Sequence, residues 1–184
     1  QNGKSTHMQR FAAWYLGRHP REHVFLGSYG QELASRNGRV VRGLLQSDLW
    51  PFQVSVAYES HAVHRWNTSE GGGLIAVGVG GGTGNPAHLI GIDDPHKGRE
   101  EADSPIYRDN AWEWWRDVVQ TRRAPQAREL LTATRWHEDD LPGRILTSEG
   151  GADWTVLSLP AMAEEDDHLG RAVGEPLWPE TVAL

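Results

Sequence analysis

The sequence predicts an α/β fold, a mainly parallel sheet with helices on both faces. Two observations lead there. Short apolar runs alternate along the chain with segments of helical period, the pattern of strands joined by crossover helices. Two of the apolar runs end in acids or hydroxyl residues, and in such sheets ligands sit at the carboxyl ends of the strands. With 184 residues the chain is large enough for one domain with a real core and too short for two full ones.

The elements follow in order. After Gly3-Lys4-Ser5-Thr6, apolar residues at Met8, Phe11, Ala12, Tyr15 and Leu16 mark the buried stripe of a helix that starts at the lysine. Residues 24–28 read as a short buried strand, and 31–45 as a helix with Leu33, Ala34, Val41, Leu44 and Leu45 inward. Residues 46–58 are ambiguous, with a break at Pro51. Residues 61–67 and 74–79 predict a hairpin across the turn-rich 68–73, and 80–86 is a loop. A strand over 88–92 ends at Asp93-Asp94. Ser104 is placed to cap the next helix and Pro105 suits its first turn, with Tyr107, Ala111, Trp114, Trp115 and Val118 on one face. A strand over 127–134, a helix over 138–148 and a strand over 154–159 complete the series.

Composition narrows the function. An apolar content of 38% and a mean hydropathy of −0.57 fit a soluble protein. No run approaches the roughly 20 apolar residues of a membrane span, and no secretion signal is visible at the start. Zero cysteines exclude disulfides, Cys-ligated zinc and thiol catalysis, and a cytoplasmic setting is compatible with that. The net charge of −7 is concentrated in residues 161–184, which hold six acids against the single base Arg171. The body is nearly neutral, so no global basic field announces nucleic acid. Arg36, Arg39 and Arg42 form the best basic row and read as a solvated helix face.

Three groups of residues carry chemistry. Gly3-Lys4-Ser5-Thr6 reads as the end of a phosphate-binding loop whose first glycine lies upstream of Gln1. Lys4 would reach the outer phosphates and the Ser5 hydroxyl would ligate magnesium, although a plain Gly-Lys-Ser tail before a helix fits equally well. Asp93-Asp94 closes an apolar strand where a magnesium-nucleotide enzyme needs carboxylates, Asp93 for the metal and Asp94 for the attacking water. An ordinary Asp-Asp-Pro turn is the alternative. Thr132, Ala133 and Thr134 end the next strand, where hydroxyls either sense a phosphate or cap a helix, with Arg135 beside them to neutralise charge. The acids of His137-Glu138-Asp139-Asp140 point in different directions on a helix and read as a charged first turn rather than a metal site. Trp112, Trp114 and Trp115 offer stacking platforms for bases, but core packing is the stronger reading for the last two.

The combination resembles the large terminase subunit of tailed bacteriophages, the motor that packages DNA into procapsids. The resemblance covers nearly the whole chain. Its most specific pieces are Gly3-Lys4-Ser5-Thr6, the glycine-rich stretch from Gly78 to Gly84, Ile92-Asp93-Asp94-Pro95-His96-Lys97, and Thr134-Arg135-Trp136-His137-Glu138-Asp139-Asp140-Leu141. It implies a P-loop NTPase of the additional-strand type lacking its N-terminal strand. ATP and Mg2+ would be bound by Gly3, Lys4, Ser5 and Thr6. Asp93 would be the metal-site acid, Asp94 the catalytic carboxylate, and Thr132, Ala133 and Thr134 the motif coupling hydrolysis to movement.

By the same resemblance the ATPase domain spans 1–160, and 161–184 is an acidic linker toward an absent nuclease domain. The implied partners are double-stranded DNA, the portal protein, the small terminase subunit and further copies in a ring, in the cytoplasm of a bacterial host. Related sequences carry Gly-Arg-Gly where this chain has Gly84-Asn85-Pro86, which leaves an arginine finger unassigned and Arg135 a speculative substitute. Two rival expectations are a metal-dependent nuclease or phosphohydrolase built on Asp93, Asp94 and His137, and a non-catalytic phage assembly module.

Overall fold

A computed structural model describes residues 3–60, 62–82, 84 and 86–179. It divides into two compact units, one up to Ile145 and one from Leu146. The first contains a five-stranded sheet in the order β2-β3-β1-β4-β5. These strands are β1 (His23–Ser28), β2 (Arg65–Asn67), β3 (Gly73–Gly78), β4 (Ala87–Asp93) and β5 (Arg123–Thr132). β1 runs parallel to β3 and β4, and β4 parallel to β5. Only β2 is antiparallel, closing the expected hairpin with β3. His61, expected to begin that hairpin, lies outside the described residues.

The two faces of the sheet separate by residue parity, because successive side chains on a strand point to opposite sides. Val24 and Leu26 of β1, Leu74 and Ala76 of β3, and Leu89 of β4 share one buried cluster with Met8, Ala12 and Leu16 of α1 (Lys4–Arg18) and Ala34, Val41 and Leu45 of α2 (Gln31–Leu45). α1 begins at Lys4 and α2 spans 31–45, as the periodicity predicts. Phe11 corrects the expected stripe: it is 36% exposed and stacks on the outward Trp14, while Ala13 turns in.

Against the other face lies α4 (Pro105–Trp114), preceded by the short α3 (Arg99–Asp103) and followed by a π-helical turn, Trp115–Val119. Trp114 lies on Gly27 of β1, where an added Cβ would sit 2.4 Å from its ring. Two expectations for α4 are corrected. Ser104 stands at the N-cap without a side-chain capping bond, and Tyr107 is exposed while Ala111 and Trp114 are buried.

The connection from β3 to β4 passes β1 with no helix among its described residues. The glycine-rich stretch makes this possible, because its backbone lies directly on the core. At Gly82, with φ of 119°, a Cβ would stand 2.9 Å from the Phe25 ring. The Trp114 indole donates to the Gly81 carbonyl at 2.7 Å, and Arg122 donates to the Gly84 carbonyl at 2.9 Å.

Two later elements also differ from expectation. The helix expected over 138–148 is α5 (Leu141–Thr147). Asp140 caps it, accepting the Gly143 N–H at 3.0 Å, so the acids precede the helix instead of forming its first turn. The strand expected over 154–159 enters no ladder among the described residues, and its apolar side chains Val156, Leu157 and Leu159 are exposed. In this second unit an isolated bridge joins Met162 to Pro176. Arg171 holds Asp167 at 2.6 Å and donates to the Pro160 carbonyl at 3.0 Å.

Candidate functional site

Strand register builds the site. Across the parallel ladders Ser28 of β1 pairs with Asp93 of β4, and Asp93 with Thr132 of β5, so these three stand in a row at the carboxyl ends of their strands. Asp93 is 1% exposed. Thr132 Oγ1 donates to Asp93 Oδ1 at 2.9 Å, and Asn37 Nδ2 of α2 donates to Oδ2 at 3.0 Å and to Ser28 Oγ at 3.3 Å. A buried carboxylate is tolerated when donors satisfy it, and here both oxygens are served.

Asp94 leaves the row. Its backbone turns left-handed at φ 46°, its N–H donates to the Thr132 carbonyl at 2.9 Å, and its carbonyl accepts from Tyr29 N–H at 2.9 Å. The half-buried carboxylate accepts the Thr134 N–H at 3.2 Å. Burial, and next the neighbouring Asp93 charge, push its pKa above the ordinary carboxylate value, while the Lys4 ammonium and the Thr134 N–H pull it down.

Lys4 completes the set from the other end of the sequence. Gly3, left-handed at φ 72°, turns the chain into α1, and its carbonyl accepts from the first-turn residue His7. The Lys4 ammonium donates to Thr134 Oγ1 at 2.6 Å. Lys4, Asp93, Asp94, Thr132 and Thr134 therefore meet at one end of the sheet, with Ser5 and Thr6 in the same first helical turn as Lys4. Ala133 lies between the two threonines.

Arg135 is not brought into this group. It pairs with the buried Asp140 at 2.9 Å and donates to the carbonyls of His137 and Glu138. Asp139 is held by Arg144 and Arg108, which take its pKa down to about 2. His96 Nε2 accepts the Leu141 N–H at 3.3 Å, and burial lowers its pKa. The segment 135–144 is thus an arginine–carboxylate knot at the start of α5. Trp114 is core, and Trp112 stacks on Trp115 with ring centres 5.1 Å apart.

Asn37 and Gln9 were not among the sequence-derived candidates. The signal was present: Asn37 falls on the inward face of α2 with Leu33, Ala34, Gly38 and Val41, where the pattern asks for an apolar side chain.

The donor set suits a hard cation. Asp93 and Ser5, the residues expected to serve a metal, carry oxygen donors, and Mg2+ is commonly held by one or two carboxylates together with waters and substrate phosphates. No larger group of metal-binding side chains is found among the described residues. No protein-family model matches the chain, and no curated protein matches it significantly.

Proposed function

We propose that the chain is the ATPase part of a phage large terminase, binding Mg-ATP at the strand ends between Lys4 and the Asp93-Asp94 pair. The observation that carries this reading is the meeting of Lys4 with Thr134 across 130 residues of sequence, and of Thr134 with Asp94. An ammonium at a helix start and a carboxylate near the nucleophile, together with one metal ion, make a sufficient kernel for phosphoryl transfer, which depends chiefly on positioning and charge neutralisation.

Each side chain has a role in this reading. Lys4 has three donors, and one is committed to Thr134, which leaves two for phosphate oxygens. Asp94 orients the attacking water and accepts hydrogen bonds from it, helped by a carboxylate basicity that burial has raised. Water oxygen bonds to the γ-phosphorus, the bond to the β-phosphate oxygen breaks, and the water's protons leave with the phosphate products. The ion, when bound, neutralises charge on the transferring group. Thr134 touches both Lys4 and Asp94, so it is placed to report the state of the phosphates to β5.

Double-stranded DNA, the portal, the small terminase subunit and a ring of copies are partners of this reading, as is residence in the host cytoplasm. The chain extended upstream with the phosphate-loop segment tests it by magnesium-dependent ATP hydrolysis. Lys4→Ala and Asp94→Asn should each lower kcat by about a hundredfold or more. Equal turnover in wild type and both variants removes the reading. Metal-dependent phosphodiester cleavage without ATP would favour the nuclease alternative.

A further inference from the structure

Asn37 sits 1% exposed in an otherwise apolar helical stripe and spends its amide on the acid row. Its orientation follows from chemistry. An ionised carboxylate only accepts, so Nδ2 must face Asp93, and Oδ1 must face Gln9 of α1, whose Nε2 donates to it at 2.8 Å. α2 is held at this depth by the next residue: a Cβ on Gly38 would stand 2.5 Å from the Val63 carbonyl oxygen. With Thr132 on the other oxygen, the Asp93 carboxylate is gripped from two elements and its plane is set. A carboxylate offers about four lone-pair directions, so the two remaining ones point where the grip sends them.

We propose that Asn37, backed by Gln9, is a positioning residue that aims the Asp93 carboxylate at the divalent cation of this site. The proposal rests on the reading of Asp93 as the metal-site acid. Partners that orient a metal-binding side chain typically contribute about 10- to 100-fold in metal affinity or activity. Gln9 matters through the amide: Glu at this position offers only acceptors, which favours an Asn37 flip that presents Oδ1 to Asp93. Met removes the backing donor and leaves the amide facing the acid.

The test titrates the full chain with Mn2+, without nucleotide, and follows paramagnetic broadening of the Asp93, Asp94 and Thr134 amide signals. Asn37→Leu and Gln9→Glu should weaken Mn2+ binding about tenfold or more, and Gln9→Met should stay within about twofold of wild type. Charge alone would make Gln9→Glu bind Mn2+ more tightly than Gln9→Met, so weaker binding in Gln9→Glu reads the orientation of the Asn37 amide. If Asn37→Leu fails to fold, the Gln9 pair decides. Equal affinity in Gln9→Glu and Gln9→Met, or no broadening in wild type, overturns the proposal. ATP turnover in the upstream-extended chain separates the two readings. Turnover with unaltered Mn2+ affinities sinks the positioning role alone, and the expected affinity pattern without turnover sinks the ATPase alone.

Discussion

Asp94 combines a left-handed backbone, partial burial and an acidic neighbour, each of which costs stability. Its folded pKa lies above the ordinary 3.8, so the native state binds its proton more tightly than the unfolded chain does. Stability from this group is therefore lost as pH rises from the ordinary value through the raised one. Asp94→Asn keeps a side chain that tolerates positive φ and removes the charge. Its urea midpoint should exceed that of wild type at pH 7, and the gap should close below about pH 4. A gap that stays constant across this range would contradict the assignment. Asp140 is the opposite case, a buried carboxylate serving the Gly143 and Trp136 N–H groups and Arg135. Asp140→Ala should cost about 3 kcal/mol in denaturant unfolding, because it strands a cap and an ion-pair partner.

At the scale of elements, glycines have opposite meanings according to what surrounds them. Gly82 has positive φ and no room, so Gly82→Ala should destabilise by about 1–3 kcal/mol or more. Gly43 is exposed in the last turn of α2 with nothing near its missing Cβ, and Gly43→Ala should stabilise by about 0.5–1 kcal/mol. Thermal unfolding of both variants reads the sign directly. The same contrast shows what was legible beforehand. α1, α2, the hairpin and the strand ending at Asp93 follow from apolar period and turn residues, which are local signals. The Gly82 crossover rests on contact with Phe25, more than fifty residues away in sequence, and α5 starts late because Asp140 reaches forward to cap it. The Lys4–Thr134 contact belongs to the same non-local class. Asn37 was readable as an oddity in a stripe, while its contact with Asp93 was not.

For the whole first unit, two histidines weaken the fold on the acid side. Burial lowers the pKa of His96 and, with help from His88, that of His23. For His96 the carboxylates of Asp140 and Glu101 oppose burial, and Arg108 and Arg144 reinforce it. A folded pKa below the unfolded one means the unfolded chain takes up protons first, so stability is full above about pH 6.5 and falls as pH drops from there. Urea midpoints should be lower at pH 5 than at pH 7.5, and His96→Gln should flatten part of that slope. In the second unit, Leu157 is 68% exposed in a segment without helix or strand. Limited proteolysis should cut first at 154–160, leaving the sheet unit intact.

Among the described residues, β5 bonds to a neighbouring strand along one side only. Its first half is guarded, since Pro125 lacks an N–H and Gln126 turns left-handed where the pairing with β4 slips. Leu130, Leu131 and Thr132 have no such guard, and they lead straight to the lysine-bound hydroxyl. Any backbone that zips onto this margin presses toward the Lys4–Thr134 contact, so docking there is felt at the start of the chain's first helix.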